Sequence, residues 1–198
     1  MRTLVVHCHP NPESFNTALY RTAVQALQRA HHELRLLDLY AEGFDPVMTR
    51  EERVAYLSNP GLLEARVQPH VDALRWAEHM VFVYPTWWYG PPAVLKGWFE
   101  RVWLPGVTFR PALAKGQRAI PAMQHVRRLT VVTTSGSPWW WLRVMGDPGR
   151  RLFTRGLRSL FAARCKTTWL QLHDMNNVTE RDCERFLAKV ARTLEKLK

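Results

Sequence analysis

The sequence predicts a doubly wound α/β fold built on one parallel sheet, and three observations predict it. Five short β-rich runs recur along the chain: Leu4 to His7, Glu33 to Leu39, His79 to Tyr84, Leu129 to Thr134 and Thr167 to Leu172. Stretches of helical periodicity separate them, as parallel strands require, because each return to the same sheet edge needs a crossover. The fourth run is almost continuously apolar, the pattern of a strand covered on both faces. Right-handed crossovers then leave only a few topologies.

Each element follows in order. Beyond HPNPE, the residues Phe15, Leu19, Ala23, Ala26, Leu27 and Ala30 fall on one helical face. Residues 41–66, with Pro46, Pro60 and acidic helical fragments, read as a loop with a short helix. Val67 to Ala77 reads as a helix leading into the third strand. Pro91-Pro92 opens the next helix, in which Val94, Leu95, Trp98, Phe99, Val102 and Trp103 make a wide apolar face. Trp98 and Trp103 suit either sheet packing or a subunit interface. Asp147-Pro148 reads as N-cap and first residue of a helix running to about Ala162. Arg151, Arg155 and Arg158 would share one face of it. The last helix starts near Thr179-Glu180, with Phe186, Leu187, Val190 and Leu194 inward.

At 198 residues, the chain fits a single domain over 1–198 with a core that needs no staples. Cys8, Cys165 and Cys183 have neither metal-site nor redox-motif spacing, and an odd count argues against a disulfide framework. The opening MRTLVVHCHP turns polar too soon for a secretory segment, and no run approaches the ~20 apolar residues of a membrane span. A reduced, cytoplasmic protein is expected, at most peripheral at the inner face of a membrane. The net charge of +11 is concentrated: residues 110–166 hold twelve Lys or Arg and one acid, Asp147, while the remainder balances. Three readings fit this block. It is a solvated face, an attractor of phosphates including a 2′-phosphate, or a contact with an anionic membrane surface anchored by Trp139 to Trp141. No nucleic-acid motif accompanies the charge, so no nucleic-acid partner is expected.

In such a fold the loops after strands one, three and four open together at the carboxyl ends of the strands, where ligands bind. Here they read HCHPNPESFN, PTWWYG and TTSGSPWWW. The first ends at a helix N-terminus, which suits a phosphate, with Ser14, Asn16, Thr17 and His9 as added donors. Ser and Asn are also ordinary N-caps. In the second, Trp87, Trp88 and Tyr89 cannot all point inward, so at least one is exposed as a wall for a flat ligand. The third, Thr133-Thr134-Ser135-Gly136-Ser137, lets backbone N–H groups approach a heteroaromatic edge, or is a plain turn. No G-x-G-x-x-G fingerprint or P-loop is present. The three loops together describe a flavin nucleotide.

Four motifs, VHCHPNPESFNTAL, LLDLYAEGFDPVMTREE, YPTWWYGPPAVLKGWFERVW and VVTTSG, then carry a resemblance. They span most of residues 4–136 and are similar to the NAD(P)H:quinone oxidoreductase family, which includes DT-diaphorase and smaller bacterial members. The resemblance implies a flavodoxin-like three-layer sandwich with a five-stranded parallel sheet of order 2-1-3-4-5 and helices on both faces. It implies flavin phosphate contacts at His9, Ser14, Phe15, Asn16 and Ala18. Ring contacts would fall on Pro85, Thr86, Trp87, Trp88 and Tyr89, and on Thr133, Thr134, Ser135 and Gly136. Glu100 matches a glutamate near the adenine side in FAD-binding members, which tilts the expectation from FMN towards FAD. Beyond Gly136 the match fades. Trp141 and Asp147 stand roughly where DT-diaphorase has a catalytic tyrosine and histidine and cannot replace them, so no catalytic side chain is carried over. Arg143 is the candidate to offset charge on the reduced ring.

The implied reaction is hydride transfer from NAD(P)H to flavin, then two-electron reduction of a quinone or similar planar acceptor in the same pocket, a ping-pong scheme. Trp88, Tyr89 and Trp141 would stack on the incoming ring. Family members are usually homodimers, and some bacterial ones are ancillary subunits of potassium-efflux systems. A flavin-binding regulatory subunit of a membrane transporter is therefore an alternative. A flavodoxin-type electron carrier is a poorer one, because flavodoxins are generally acidic and lack KGWFERVW.

Overall fold

The computed structural model describes residues 1–112 and 114–197. Among these, the chain runs β1 (Arg2–His7), α1 (Phe15–Arg29), β2 (Glu33–Asp38), α2 (Arg50–Ser58), α3 (Pro60–Arg66), α4 (Gln68–Trp76), β3 (His79–Thr86) and α5 (Ala93–Val102). A two-residue pair follows, β4 (Phe109–Arg110) and β5 (Ile120–Pro121), then β6 (Arg128–Ser135), α6 (Trp139–Val144), α7 (Pro148–Arg151), β7 (Lys166–Leu172) and α8 (Glu180–Glu195). The main sheet has the order β2-β1-β3-β6-β7, parallel throughout. With the small β4–β5 pair set aside, this is the expected 2-1-3-4-5.

Alternation along each strand explains the layers. Val5, Val81, Val83, Val132 and Leu170 pack with Leu19, Ala23 and Leu27 of α1 and with Phe186, Val190 and Leu194 of α8. Their strand neighbours Leu4, Val6, Met80, Phe82, Leu129 and Val131 face α3, α4, α5 and Phe153 on the other side. A buried strand presents successive side chains to opposite faces, and both faces are covered here. Trp98 and Trp103 are 0% and 5% exposed, so they belong to this core and not to a subunit interface. Gly97 shows how tightly α5 is held: a Cβ there would stand 2.3 Å from the carbonyl oxygen of Pro46.

Two regions depart from the sequence expectation. Residues 41–66 hold two helices, and α2 is opened by a capping box in which Thr49 and Glu52 bond each other's backbone N–H. The tryptophan stretch, expected as loop, is the helix α6. It ends in a Schellman motif: Gly146, at φ 78°, donates to the carbonyl of Arg143, and Asp147 donates to that of Leu142. Asp147 therefore closes one helix and also holds the expected N-cap position of the next, with Pro148 as its first residue. Its backbone is left-handed, at φ 46°, and its side chain does not cap the next. The expected helix to Ala162 is also not uniform. After α7 it widens into a π-turn over Leu152–Gly156 and tightens into a 3₁₀ turn over Leu157–Leu160. The change of pitch breaks the shared face of Arg151, Arg155 and Arg158. Arg158 turns back to donate to the carbonyls of Cys165 and Ala163.

The basic block divides in space as well. Arg127, Arg128, Arg164 and Lys166 gather at the amino edge of the sheet, whereas Arg143, Arg150, Arg151 and Arg155 gather near its carboxyl edge. No helix among the described residues is long and apolar enough to cross a membrane.

Candidate functional site

At the carboxyl edge, register fixes which loops meet. Thr86 pairs with Ser135 where β3 and β6 end, so the aromatic and hydroxylated loops leave the sheet side by side. Between them lies a cavity of about 630 Å³, lined by Thr86, Trp88, Tyr89, Ser135, Gly136 and Ser137, with Leu142 and Asn176. The first loop closes on the same edge: the His9 ring lies 6.0 Å from that of Trp87.

The aromatic wall is a strained turn. Trp87 and Gly90 exchange both backbone hydrogen bonds at 3.0 Å, leaving Trp88 at φ 47° and Tyr89 at φ 64°. Such two-residue turns normally use Asn or Gly at these positions, and a left-handed bulky residue costs about 1–2 kcal/mol. The strain holds the Trp88 side chain 96% exposed at the mouth of the cavity. Two contacts brace the turn. The Trp141 indole N–H donates to the Tyr89 hydroxyl at 3.0 Å, and Gly149 lies so close that a Cβ would stand 2.7 Å from the Tyr89 carbonyl oxygen.

At the start of α1 the donors are unequally committed. The Thr17 hydroxyl donates to the Asn11 carbonyl, so the Ser14 hydroxyl proton is left to Thr17 Oγ1, 3.0 Å away. Ser14 Oγ also accepts from the Thr17 N–H as the N-cap, and the Ala18 N–H donates to the Ser14 carbonyl. Phe15 packs its ring towards the α1–α8 core. What remains unspent is the Asn16 amide. Asn16 is buried, and neither its Oδ1 nor its Nδ2 has a partner among the described residues. A buried amide left unpaired costs about 1–3 kcal/mol per group, which suits a position meant for a ligand. The backbone N–H groups of Phe15 and Asn16 precede the first intrahelical bond and complete an anion-binding turn.

In the third loop Thr133 and Thr134 are buried, and Thr133 Oγ1 lies 3.0 Å from Thr86 Oγ1, tying the two strand ends together. The Ser135 hydroxyl donates to the Ser137 carbonyl. Of the expected ring contacts in these strand ends, Ser135 and Gly136 line the cavity with Ser137, whereas Pro85, Thr133 and Thr134 are buried in β3 and β6 and do not. Glu100 is elsewhere: it pairs with Lys96 on the outer face of α5 and lines a separate cavity with Met48, Arg53 and Tyr56. Arg143 does not line the ring cavity; it lines a separate one with Arg150, Arg151 and Arg155.

Sequence reasoning missed a fourth contributor, the loop after β7. Met175 and Asp174 donate to the carbonyls of Ser135 and Ser137, which brings Asn176 onto the cavity and His173 Nδ1 to 3.3 Å from Ser135 Oγ. Burial depresses the His173 pKa. The signal was available in the HDMNN stretch at the carboxyl end of the last strand. Behind His9, a second cavity of about 410 Å³ is lined by His7, Tyr20 and Asp38, among others. There His7 Nδ1 bonds the Asp38 carboxylate at 3.0 Å and its ring stacks on Tyr20. Burial holds the His7 pKa below the ordinary histidine value against the opposing pull of Asp38. Next to it, the buried thiol of Cys8 is pushed up to about 12 by loss of solvation. No cluster of metal-ligating side chains occurs among the described residues.

Comparison with known proteins agrees with this geometry. The flavodoxin-like fold family matches residues 1–197. NAD(P)H dehydrogenase [quinone] 1 of Cavia porcellus is 33% identical over 153 residues, covering 69% of this chain and 54% of that protein. The enzyme of the same name from Rattus norvegicus is 35% identical over the same length and shares. The chain thus spans about half the length of the curated relatives it matches. Among solved structures, Smu.1420 from Streptococcus mutans UA159 superposes with a TM-score of 0.83 at 27% identity, covering all of both chains. The strand order, the loop motifs and these relatives make the chain a member of the NAD(P)H:quinone oxidoreductase family of flavodoxin-like fold.

Proposed function

We propose that the chain is a flavin-dependent NAD(P)H oxidoreductase that reduces a quinone or similar planar acceptor, donor and acceptor using one cavity in turn. The observation that carries this reading is the unpaired, buried Asn16 amide at one end of a loop cluster whose other end is a wide cavity walled by Trp88 and Tyr89. That pairing of an anion-binding turn with an aromatic slot fits a flavin nucleotide. The relatives' name, NAD(P)H dehydrogenase [quinone], supports it.

When bound, the flavin supplies the hydride chemistry. The chain holds and orients. Asn16 and the N–H groups of Phe15 and Asn16 would bind the phosphate, and Ser135 and Gly136 would border the ring. The braced turn at Trp88-Tyr89 gives incoming rings a fixed wall, so that stacking costs little further ordering. The homodimer is part of this proposal, and light scattering addresses it. Glu100, the basis of the preference for FAD, lies apart from the loop cluster within one chain, so the nucleotide itself must decide.

The test is direct. Purified protein, as isolated or after incubation with FMN or FAD, should be yellow, and the nucleotide released by heat should be identified by mass. Asn16→Ala should weaken flavin binding by about tenfold or more. A colourless protein that takes up neither nucleotide overturns the reading.

A further inference from the structure

We propose that the arginine cavity beside α6 takes the phosphates of the hydride donor and selects the dinucleotide carrying the additional 2′-phosphate, NADPH over NADH. The proposal rests on the oxidoreductase reading above. The cavity measures about 390 Å³ and is lined by Arg143, Arg150, Arg151 and Arg155, with Asp147 as its one acid. Elsewhere in the chain several arginines find carboxylates: Arg66 meets Glu51, Arg75 meets Glu64, and Arg101 meets Glu52. Among the described residues, none of these four side chains has an ion-pair partner or a hydrogen bond. Four unpaired guanidinium groups around one cavity repel each other, and an anion with several oxygens relieves that repulsion through forked bonds.

Position and local structure make this a companion to the ring cavity. Leu142 lines the ring cavity and Arg143, its neighbour, lines the arginine cavity. Gly149 fixes the start of α7 against the Tyr89 carbonyl, so the arginine segment cannot drift from the aromatic wall. The π-turn over 152–156 leaves Arg155 with this group while Arg158 folds back onto backbone carbonyls. A membrane surface fits less well. The other basic cluster sits at the opposite edge of the sheet, and Trp141, one of the three exposed tryptophans of α6, is bonded to Tyr89.

The flavin-loaded full-length protein is titrated with adenosine 2′,5′-bisphosphate and with 5′-AMP, following tryptophan fluorescence of the adjoining Trp139 to Trp141. The bisphosphate should bind at least about tenfold more tightly at low salt, with the ratio shrinking as salt rises. Arg150→Met combined with Arg155→Met should keep its flavin and lose most of that ratio, together with the preference for NADPH over NADH in kcat/KM. If the double variant does not fold, Arg155→Met alone and the wild-type ratio decide. Equal binding of the two nucleotides, or a variant that discriminates as well as the wild type, overturns the proposal. So does adherence to phosphatidylserine vesicles that the variant loses while nucleotide discrimination persists, which would give the arginines to lipid. Failure of the wild type to hold flavin would instead defeat the underlying reading, a separate and visible result.

Discussion

The two edges of the sheet treat buried polar groups in opposite ways. At the amino edge, His79 Nε2 meets Thr130 Oγ1 at 2.9 Å, Thr3 Oγ1 meets His32 Nδ1 at 2.8 Å, and His32 Nε2 reaches the Leu197 carbonyl at 3.0 Å. Three strands and the C-terminal segment are locked by side chains that satisfy one another, the Thr167 hydroxyl at the start of β7 being the exception. At the carboxyl edge, Asn16 keeps both amide atoms unpaired, His7 Nε2 has no partner among the described residues, and two aromatic residues sit in left-handed backbone. Polar satisfaction marks where a fold is secured; its absence, beside a cavity, marks where something else is to be held.

The largest expected effect is acid loss of stability, which belongs to the first edge. Burial lowers the His79 pKa from 6.5 to about 3, so below pH 6.5 the unfolded chain binds a proton that the folded chain refuses. The stabilisation is complete above pH 6.5 and declines as pH falls towards 3, by on the order of 4 kcal/mol. His32, His7 and His70 are depressed too and steepen the decline. Denaturant midpoints across this range check it, and His79→Leu should flatten the slope. Next, Gly97→Ala must displace α5 from Pro46 and should cost about 3 kcal/mol in the same assay. Gly149→Ala should cost less stability, about 1–2 kcal/mol, but should shift the Trp88-Tyr89 turn. Its signature is weakened flavin and acceptor binding in a protein that still folds. The smallest effect should come from Arg75→Ala, which breaks an exposed pair with Glu64 worth about 0.5 kcal/mol. If Asn16→Ala proved as destabilising to the flavin-free chain as His79→Leu, the contrast between the edges would fail.

How much of this was legible follows the same division. All five principal strands can be read from β-branched runs and interleaved helical periods, whereas their order follows only from the family resemblance, because right-handed crossovers leave several topologies. The core role of Trp98 can be read only as one of two options, because an apolar helix face does not say what covers it. The helix at Trp139–Val144 was hidden because three consecutive tryptophans obscure periodicity, although Pro138 and Gly146 bracket it as start and stop signals. The N-cap position of Asp147 before Pro148 was legible, but its second part in closing the preceding helix was not. The pitch change after Arg151, which separates Arg155 from Arg158, has no sequence signature. Nor does the spending of the Ser14 and Thr17 hydroxyls within their own loop, which leaves Asn16 as the free donor.

Cys8 sits one residue before His9 at this same edge, fully buried, with its thiol held protonated far above neutral pH. Quinones are electrophiles as well as oxidants, and they arylate thiolates. On the function proposed above, a cysteine at the end of β1 is thus kept in its unreactive form and out of reach of such molecules, which would shield the protein from arylation.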